Sequence, residues 1–421
     1  MNPGASRPAP RLEAAIGQAT VVVFVGNVIA RGLGFLFPLV LARVTAREDF
    51  ALVYFYVNAG FFVGELVLAG YPTALTRYLA APGSVPRGTW LIAAMAGGLP
   101  LLIASFGAAW LFAGNADASP GLLALVVMGL TLDAYYFAVL RGLGRFRLLV
   151  AYRIAANLAQ IVLLVIASSA GLVVVELAVA VYTLVYLLPI VAIEAWRAPL
   201  RSLLTGLSEV RVPIGVLTRF AIPALISGTA YAAIQGLDVY FVRVLVPEGL
   251  ADYAGARALA MPMSLVPFAV GVVLLPRVAA ADPTIRTGLL ARALAVVIGV
   301  DVLAVLGYMV LGPLVTSIVY PASFAGIPEV LPWLAVAMGA TGTYSILSQW
   351  WMGIARPIPP AIALTTGAVA AVGAHLAFDQ RFGSVGAAWA MGTGATVALA
   401  LLGMATVLTT QAGPGRGRMA S

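Results

Sequence analysis

Twelve stretches of this chain are each long and apolar enough to cross a bilayer, and only short polar segments lie between them. They run over residues 18–41, 50–78, 89–112, 121–140, 150–169, 172–192, 219–246, 253–276, 289–311, 329–351, 360–378 and 384–408. About 20 mostly apolar residues make a spanning helix. In hydrocarbon, a backbone that must satisfy its own polar groups leaves few options besides helix. The sequence therefore predicts an all-α integral membrane protein of twelve transmembrane helices. A mean hydropathy of +1.03 and a charged fraction of only 10% exclude a soluble globule.

The arginines orient these helices. All 24 basic side chains are Arg, and short cytoplasmic loops collect such residues. With the N-terminus inside, 18 of the 24 fall in cytoplasmic segments or at the cytoplasmic ends of spans, three (Arg43, Arg47, Arg381) fall outside, and three (Arg31, Arg243, Arg257) fall elsewhere within spans. This asymmetry predicts an even number of helices with both termini cytoplasmic, in a multi-pass protein of the cytoplasmic (inner) membrane. No cleavable secretory signal is expected, since the first sixteen residues lead straight into an apolar stretch. Basic inner loops suit anionic membrane lipids, so a pI near 9.9 calls for no nucleic-acid partner. Cysteine is absent, which removes disulfides and thiolate-bound metals.

The two halves echo each other. Arg43-Val44, Glu48 and Ala51 recur as Arg243-Val244, Glu248 and Ala251, and Leu75, Arg77 and Ala80 recur as Leu275, Arg277 and Ala280, every pair 200 positions apart. Such duplication is a signature of transporters. It predicts two six-helix, pseudo-symmetric lobes facing a central vestibule. The expected organisation is an N-terminal tail (1–17), an N-lobe (18–192), a cytoplasmic linker (193–218), a C-lobe (219–408) and a C-terminal tail (409–421).

The same stretches carry a family resemblance. The strings NVIARGLG (27–34), LARV (41–44) and GYPTALTRYLA (70–80) resemble the first two helices of Wzx-type polysaccharide flippases. LRGLGRF (140–146), FAIP (220–223), Asp238 and DYAGAR (252–257) are similar to later parts of that family. The likeness runs from about residue 18 to 280. The family sits in the multidrug/oligosaccharidyl-lipid/polysaccharide exporter superfamily, with the MATE multidrug exporters and the lipid II flippases. The resemblance implies a MATE-like fold and export of a polyprenyl-diphosphate-linked oligosaccharide, alongside glycosyltransferases and a polymerase of the same pathway.

Charges inside hydrocarbon cost free energy and ask for a reason. Arg31, mid-way along the first span, is either an anchor for a diphosphate, whose oxygens a guanidinium fork matches, or half of an ion pair with Glu65 or Asp133. Arg257 and Arg243 either contact substrate or snorkel; Arg77 and Arg153 either greet a head group at the inner mouth or anchor the helices. Glu65, Asp133, Asp238 and Asp301 are candidates for coupling transport to H⁺ or Na⁺, or for pairing with Arg. Asn157 and Gln160 share a helix face and could bind sugar hydroxyls or a neighbouring helix. His375 reads as an interfacial residue, and Trp333, Trp350, Trp351 and Tyr320 as members of an interfacial belt, with Trp350 and Trp351 an alternative sugar platform.

Gly70 and Pro72 in the second span, and Pro262 and Pro267 in its counterpart, the eighth, are hinge candidates. Nothing near His375 in the sequence makes a nucleophile–base pair, and a single His builds no metal site. No catalytic residue, metal or cofactor is expected. A polymerase or ligase would carry a long outer loop with Arg or His, which 312–328 lacks. The competing transport reading is a MATE-like cation-coupled multidrug antiporter; Arg31 and Arg257 favour an anionic substrate instead.

Overall fold

The computed structural model describes residues 10–68, 70–80, 85–204, 214–354 and 356–411, and every regular element among them is a helix. In chain order these are α1 (Pro10–Val44), α2 (Arg47–Leu68), α3 (Tyr71–Ala80), α4 (Arg87–Asn115), α5 (Pro120–Gly142), α6 (Phe146–Ser169), α7 (Val175–Leu184), α8 (Leu187–Arg197), α9 (Pro199–Leu204), α10 (Ile214–Leu245), α11 (Leu250–Ala260), α12 (Leu265–Ala280), α13 (Pro283–Val319), α14 (Ile327–Gly353) and α15 (Ile358–Gln411). Short 3₁₀ turns at Pro247–Gly249 and Met261–Ser264 flank α11. Among the described residues, nine helical stretches are long and apolar enough to cross a membrane by length and composition.

Helix ends follow local chemistry. Ser119 caps α5, accepting from the Leu122 amide at 3.4 Å with Pro120 in the first turn. Asp282 caps α13 in the same way, accepting from the Thr284 amide at 3.0 Å, with Pro283 following. Gly383, at φ 60° and ψ −143°, lets α15 double back on itself; an L side chain would be strained there. Its two arms pack where glycines meet, since a Cβ on Gly367 would lie 2.5 Å from the Gly394 carbonyl oxygen.

Several segments differ from expectation. The stretch 312–328, expected as a loop, is helical through Val319. Asp252, which falls between the expected spans 219–246 and 253–276, lies in the first turn of α11. The 193–218 linker contracts, because α8 runs to Arg197, α9 follows, and α10 starts at Ile214; residues 205–213 lie outside the described residues, as do most of the two tails.

The packing repeats between the halves. α1 lies on α6 as α10 lies on α15; α2 lies on α5 as α11 and α12 lie on α14; α4 lies on α5 as α13 lies on α14. The halves meet chiefly where α2 and α3 run along α10, and where α1 touches α11 and α12. Outward faces are apolar, with Leu303 71% and Val310 76% exposed on α13, as a lipid-facing helix requires. One end of the bundle gathers the arginine-rich connections (after α3, α5, α8 and α12), and the other the arginine-poor ones (after α1, α4, α6, α10 and α13).

Candidate functional site

Two polar clusters sit inside this apolar shell. The first lies in the gap between the halves. Arg31 on α1 is exposed, and its guanidinium carbon is 3.9 Å from the ring centre of Phe268 on α12, in the opposite half. Tyr231 on α10 and Arg153 on α6 lie within its electrostatic reach, and Tyr231 is near Glu65 on α2. Tyr231 occupies the position 200 residues beyond Arg31, so the repeat places an aromatic hydroxyl opposite the cation. An exposed cation flanked by the other half faces the gap, not acyl chains.

The two basic side chains here are in different electrostatic states. Arg153 is ion-paired to buried Asp133 at 3.0 Å, and Tyr152 donates to Asp133 at 2.5 Å. The Arg153 guanidinium also sits over the Phe137 ring at 4.7 Å. Arg31, by contrast, has no carboxylate within ion-pair distance among the described residues. Neither ion pair considered for it, with Glu65 or with Asp133, is present. Glu65 is half-buried and, among the described residues, has no hydrogen bond or ion pair. Asn157 donates to the Ala30 carbonyl at 2.7 Å and Gln160 to the Tyr182 carbonyl at 2.8 Å, so the amide groups of both join helix to helix.

The second cluster is sealed. Arg257 on α11 is 2% exposed, which corrects the expectation that it snorkels or lines the vestibule. Its Nε lies 2.9 Å from the carboxylate of Asp238, which accepts from Tyr253 at 2.7 Å. Its two terminal nitrogens donate to Asn58 Oδ1, on α2 in the opposite half, and to the Gln235 carbonyl. His375 belongs to the same region and is not interfacial. It is 2% exposed, stacks on Phe241 with ring centres 4.8 Å apart, and lies 2.9 Å from Asp379. One oxygen each of Asp238 and Asp379 has no hydrogen-bond partner among the described residues. No cluster of three His, Cys, Asp or Glu placed to hold a metal ion occurs among them.

The remaining candidates have plain positions. Arg77 is exposed at the arginine-rich end, 4.7 Å from the Phe220 ring centre. Arg243 reaches the Ala116 and Asp117 carbonyls beyond α4. Asp301 is buried between α13 and α14 beside Gly339 and Gly342, one oxygen unpartnered. Trp350 and Trp351 are core residues, not belt residues or a sugar platform, 4% and 2% exposed; Trp351 donates to Thr406 at 2.8 Å. Tyr320 is equally buried and donates to the Gly255 carbonyl at 3.2 Å, whereas Trp333 is 43% exposed.

Both hinge regions are interrupted, though not at matching depths. Gly70 separates α2 from α3 and lies close to α10: a Cβ there would be 3.2 Å from the Ala221 carbonyl oxygen. Pro72 falls in the first turn of α3. Pro262 lies in the 3₁₀ turn between α11 and α12, and Pro267 sits in the first turn of α12, where proline is tolerated. Tyr308 donates to the Leu259 carbonyl at 2.6 Å, beside the break.

Residues 16–281 match the model of a family described as "Polysaccharide biosynthesis protein". This chain belongs to that family. The matched span is nearly the one over which the sequence resembles Wzx-type flippases. Solved structures share the fold. A lipid II flippase, MurJ, in an inward closed conformation superimposes with TM-score 0.75 at 14% identity, covering 92% of this chain and 87% of its own. A multidrug resistance MATE family transporter of the MOP superfamily, inward-facing, gives 0.73 at 17% identity, covering 90% and 94%. An outward-facing MATE family transporter gives 0.61 at 16% identity, covering 94% and 96%. No curated relative matches the sequence. This family member shares the fold of those flippase and MATE transporter structures, and its apolar helices are those of a multi-pass membrane protein.

Sequence reasoning missed Asp379, Tyr231, Phe268 and Asn58. Asp379 was within reach, since it stands four residues after His375 and so shares its helix face. Tyr231 was signalled by the 200-residue offset from Arg31. Phe268 and Asn58 carried no signal, because aromatic and amide residues are unremarkable in such helices.

Proposed function

We propose that this protein is a flippase that carries a polyprenyl-diphosphate-linked oligosaccharide from the inner to the outer leaflet of the cytoplasmic membrane by alternating access. In this reading the arginine-rich end is cytoplasmic, twelve helices span the bilayer, both termini are inside, and the halves are two rocking lobes. Arg31 carries the proposal. A guanidinium deep in an apolar bundle, exposed to the central gap and without a carboxylate partner, is an incomplete ion pair. A diphosphate completes it through the guanidinium fork. Arg153, already neutralised by Asp133, can share that duty if the pair loosens when substrate enters. The better superposition on an inward-facing than on an outward-facing MATE family transporter supports a state loaded from the arginine-rich end.

The sealed cluster is where we place ion coupling. Asp238 pairs with Arg257 and accepts from the hydroxyl of Tyr253, and Asp379, which pairs with His375, lies within electrostatic reach of Asp238, so two carboxylates share a region with one fixed cation. Leaving a net charge buried is costly, so a proton or Na⁺ entering as the lobes move balances the cluster. The lipid-linked substrate comes from cytoplasmic glycosyltransferases, and the exported unit goes to a polymerase.

The deciding experiment reads the appearance of lipid-linked glycan on the outer face. Arg31→Ala abolishes it while insertion in the membrane stays normal, and Arg31→Lys restores it in part. Wild-type export by Arg31→Ala would remove the anchor reading. A drug-cation antiporter predicts the reverse, because removing a positive charge from its vestibule would help its substrate.

A further inference from the structure

Arg43 and Arg243, the clearest echo in the sequence, make the same contact in opposite directions. Arg43, next to last in α1, donates its Nε–H to the Val319 carbonyl at 2.8 Å and a terminal N–H to the Ile318 carbonyl. Those are the last two carbonyls of α13. Arg243, third from last in α10, donates Nε–H to the Ala116 carbonyl at 3.1 Å and a terminal N–H to the Asp117 carbonyl at 3.3 Å. Ala116 is the C-cap of α4. In the repeat, α1 corresponds to α10 and α4 to α13. Each arginine therefore leaves its own lobe and caps the equivalent helix of the other.

The physics of the contact suits a latch. The final carbonyls of a helix lack intrahelical partners and carry the negative end of its dipole. A guanidinium fork meets two of them at once, yet no carboxylate is involved and either side can be rehydrated when the contact opens. Beside this pair, Arg47 at the start of α2 meets Asp252 of α11 at 2.7 Å, again across the lobes. All three contacts stand at the arginine-poor end. Among the described residues no ion pair joins the lobes at the arginine-rich end, where Tyr71–Thr218 (2.8 Å) and the Arg77–Phe220 stack meet instead.

We propose that Arg43, Arg243 and the Arg47–Asp252 pair form a two-fold latch that holds the arginine-poor end shut, and that its release is the step that opens the vestibule to that side. The proposal rests on the alternating-access reading for its meaning, but its test needs no substrate. The absence of native cysteine makes a clean background. Tyr231→Cys places one thiol in the gap, and a membrane-impermeant maleimide applied to intact cells reads its exposure to the outside.

Adding Arg43→Gln and Arg243→Gln raises the labelling rate roughly three- to thirtyfold, the range for losing two helix-end cation contacts. Each single change gives a smaller rise. Unchanged labelling in the double variant, with normal labelling after permeabilisation, overturns the latch. Should the double variant fail to insert, Asp252→Asn opens only the ion pair and preserves side-chain shape; faster outside labelling supports the latch and an unchanged rate overturns it. A failed latch alongside an export-dead Arg31→Ala leaves the substrate reading standing, and the opposite result leaves the latch standing without it.

Discussion

Asp238 and Arg257 hold each other at 2.9 Å in a part of the bundle where neither reaches solvent, one 0% and the other 2% exposed. Breaking such a pair from one side leaves an uncompensated charge, whereas replacing both partners does not. Arg257→Met is expected to cost about 3–5 kcal/mol. The double variant Asp238→Leu with Arg257→Met costs markedly less than the two single changes added together. Thermal melting of detergent-purified protein reads the difference, and additive losses would show that the pair is not a unit.

Arg31 and Arg153 separate stability from transport. Arg31→Ala removes an exposed cation with no carboxylate partner, so folding stability stays within about 0.5 kcal/mol of wild type while export is lost. Arg153→Ala strips buried Asp133 of its counter-charge and leaves it only Tyr152, costing about 1–3 kcal/mol. Melting temperatures set beside export assays check both. Equal destabilisation by the two variants would contradict the asymmetry.

Gly383→Val strains the turn between the arms of α15, where φ is 60° and ψ −143°. A cost of about 1–3 kcal/mol is expected, with most of it spared by Gly383→Asn if the turn shifts toward the ordinary left-handed region. Expression level and melting temperature measure it; indifference to valine would mean that the turn is free to rearrange.

Asp282 makes a pH-dependent helix start outside the membrane-spanning segments. The Thr284 amide, then its hydroxyl, hold the Asp282 carboxyl below the usual carboxylate range. A depressed folded-state value means the cap's contribution is present above the unfolded value, about 3.9, and fades as pH falls through the folded value. Hydrogen exchange at the Thr284 amide, corrected for intrinsic rate, should lose protection over that interval, and Asp282→Ala should abolish the dependence. A flat profile in wild type would refute it.

Hydropathy located the rods of this fold well because each helix must satisfy its backbone within itself. The arginine count divided the two ends for the same kind of reason: loop charge is a property of composition, not of packing. Depth and direction around the helix axis were not legible. Trp350, Trp351 and His375 read as interfacial by residue type, but α14 packing against α13 and α15 buries the two tryptophans, and α15 packing against α10 buries His375. Arg257 was misjudged similarly, since its partner Asp238 is a neighbour only once α10 and α11 fold together. In the gap between the lobes, Arg31 was identifiable from its depth, whereas the ring it stacks on, Phe268, is one aromatic among many. The repeat spacing was the most useful clue and the least exploited, since it also paired Arg31 with Tyr231 and Arg43 with Arg243.

The reversal of α15 at one glycine has a practical corollary. A chain that turns around on a single residue leaves no peptide standing proud between its last two rods. An epitope tag inserted there would have to break the reversal itself, so the connection between these two rods offers no spare chain in which to place one.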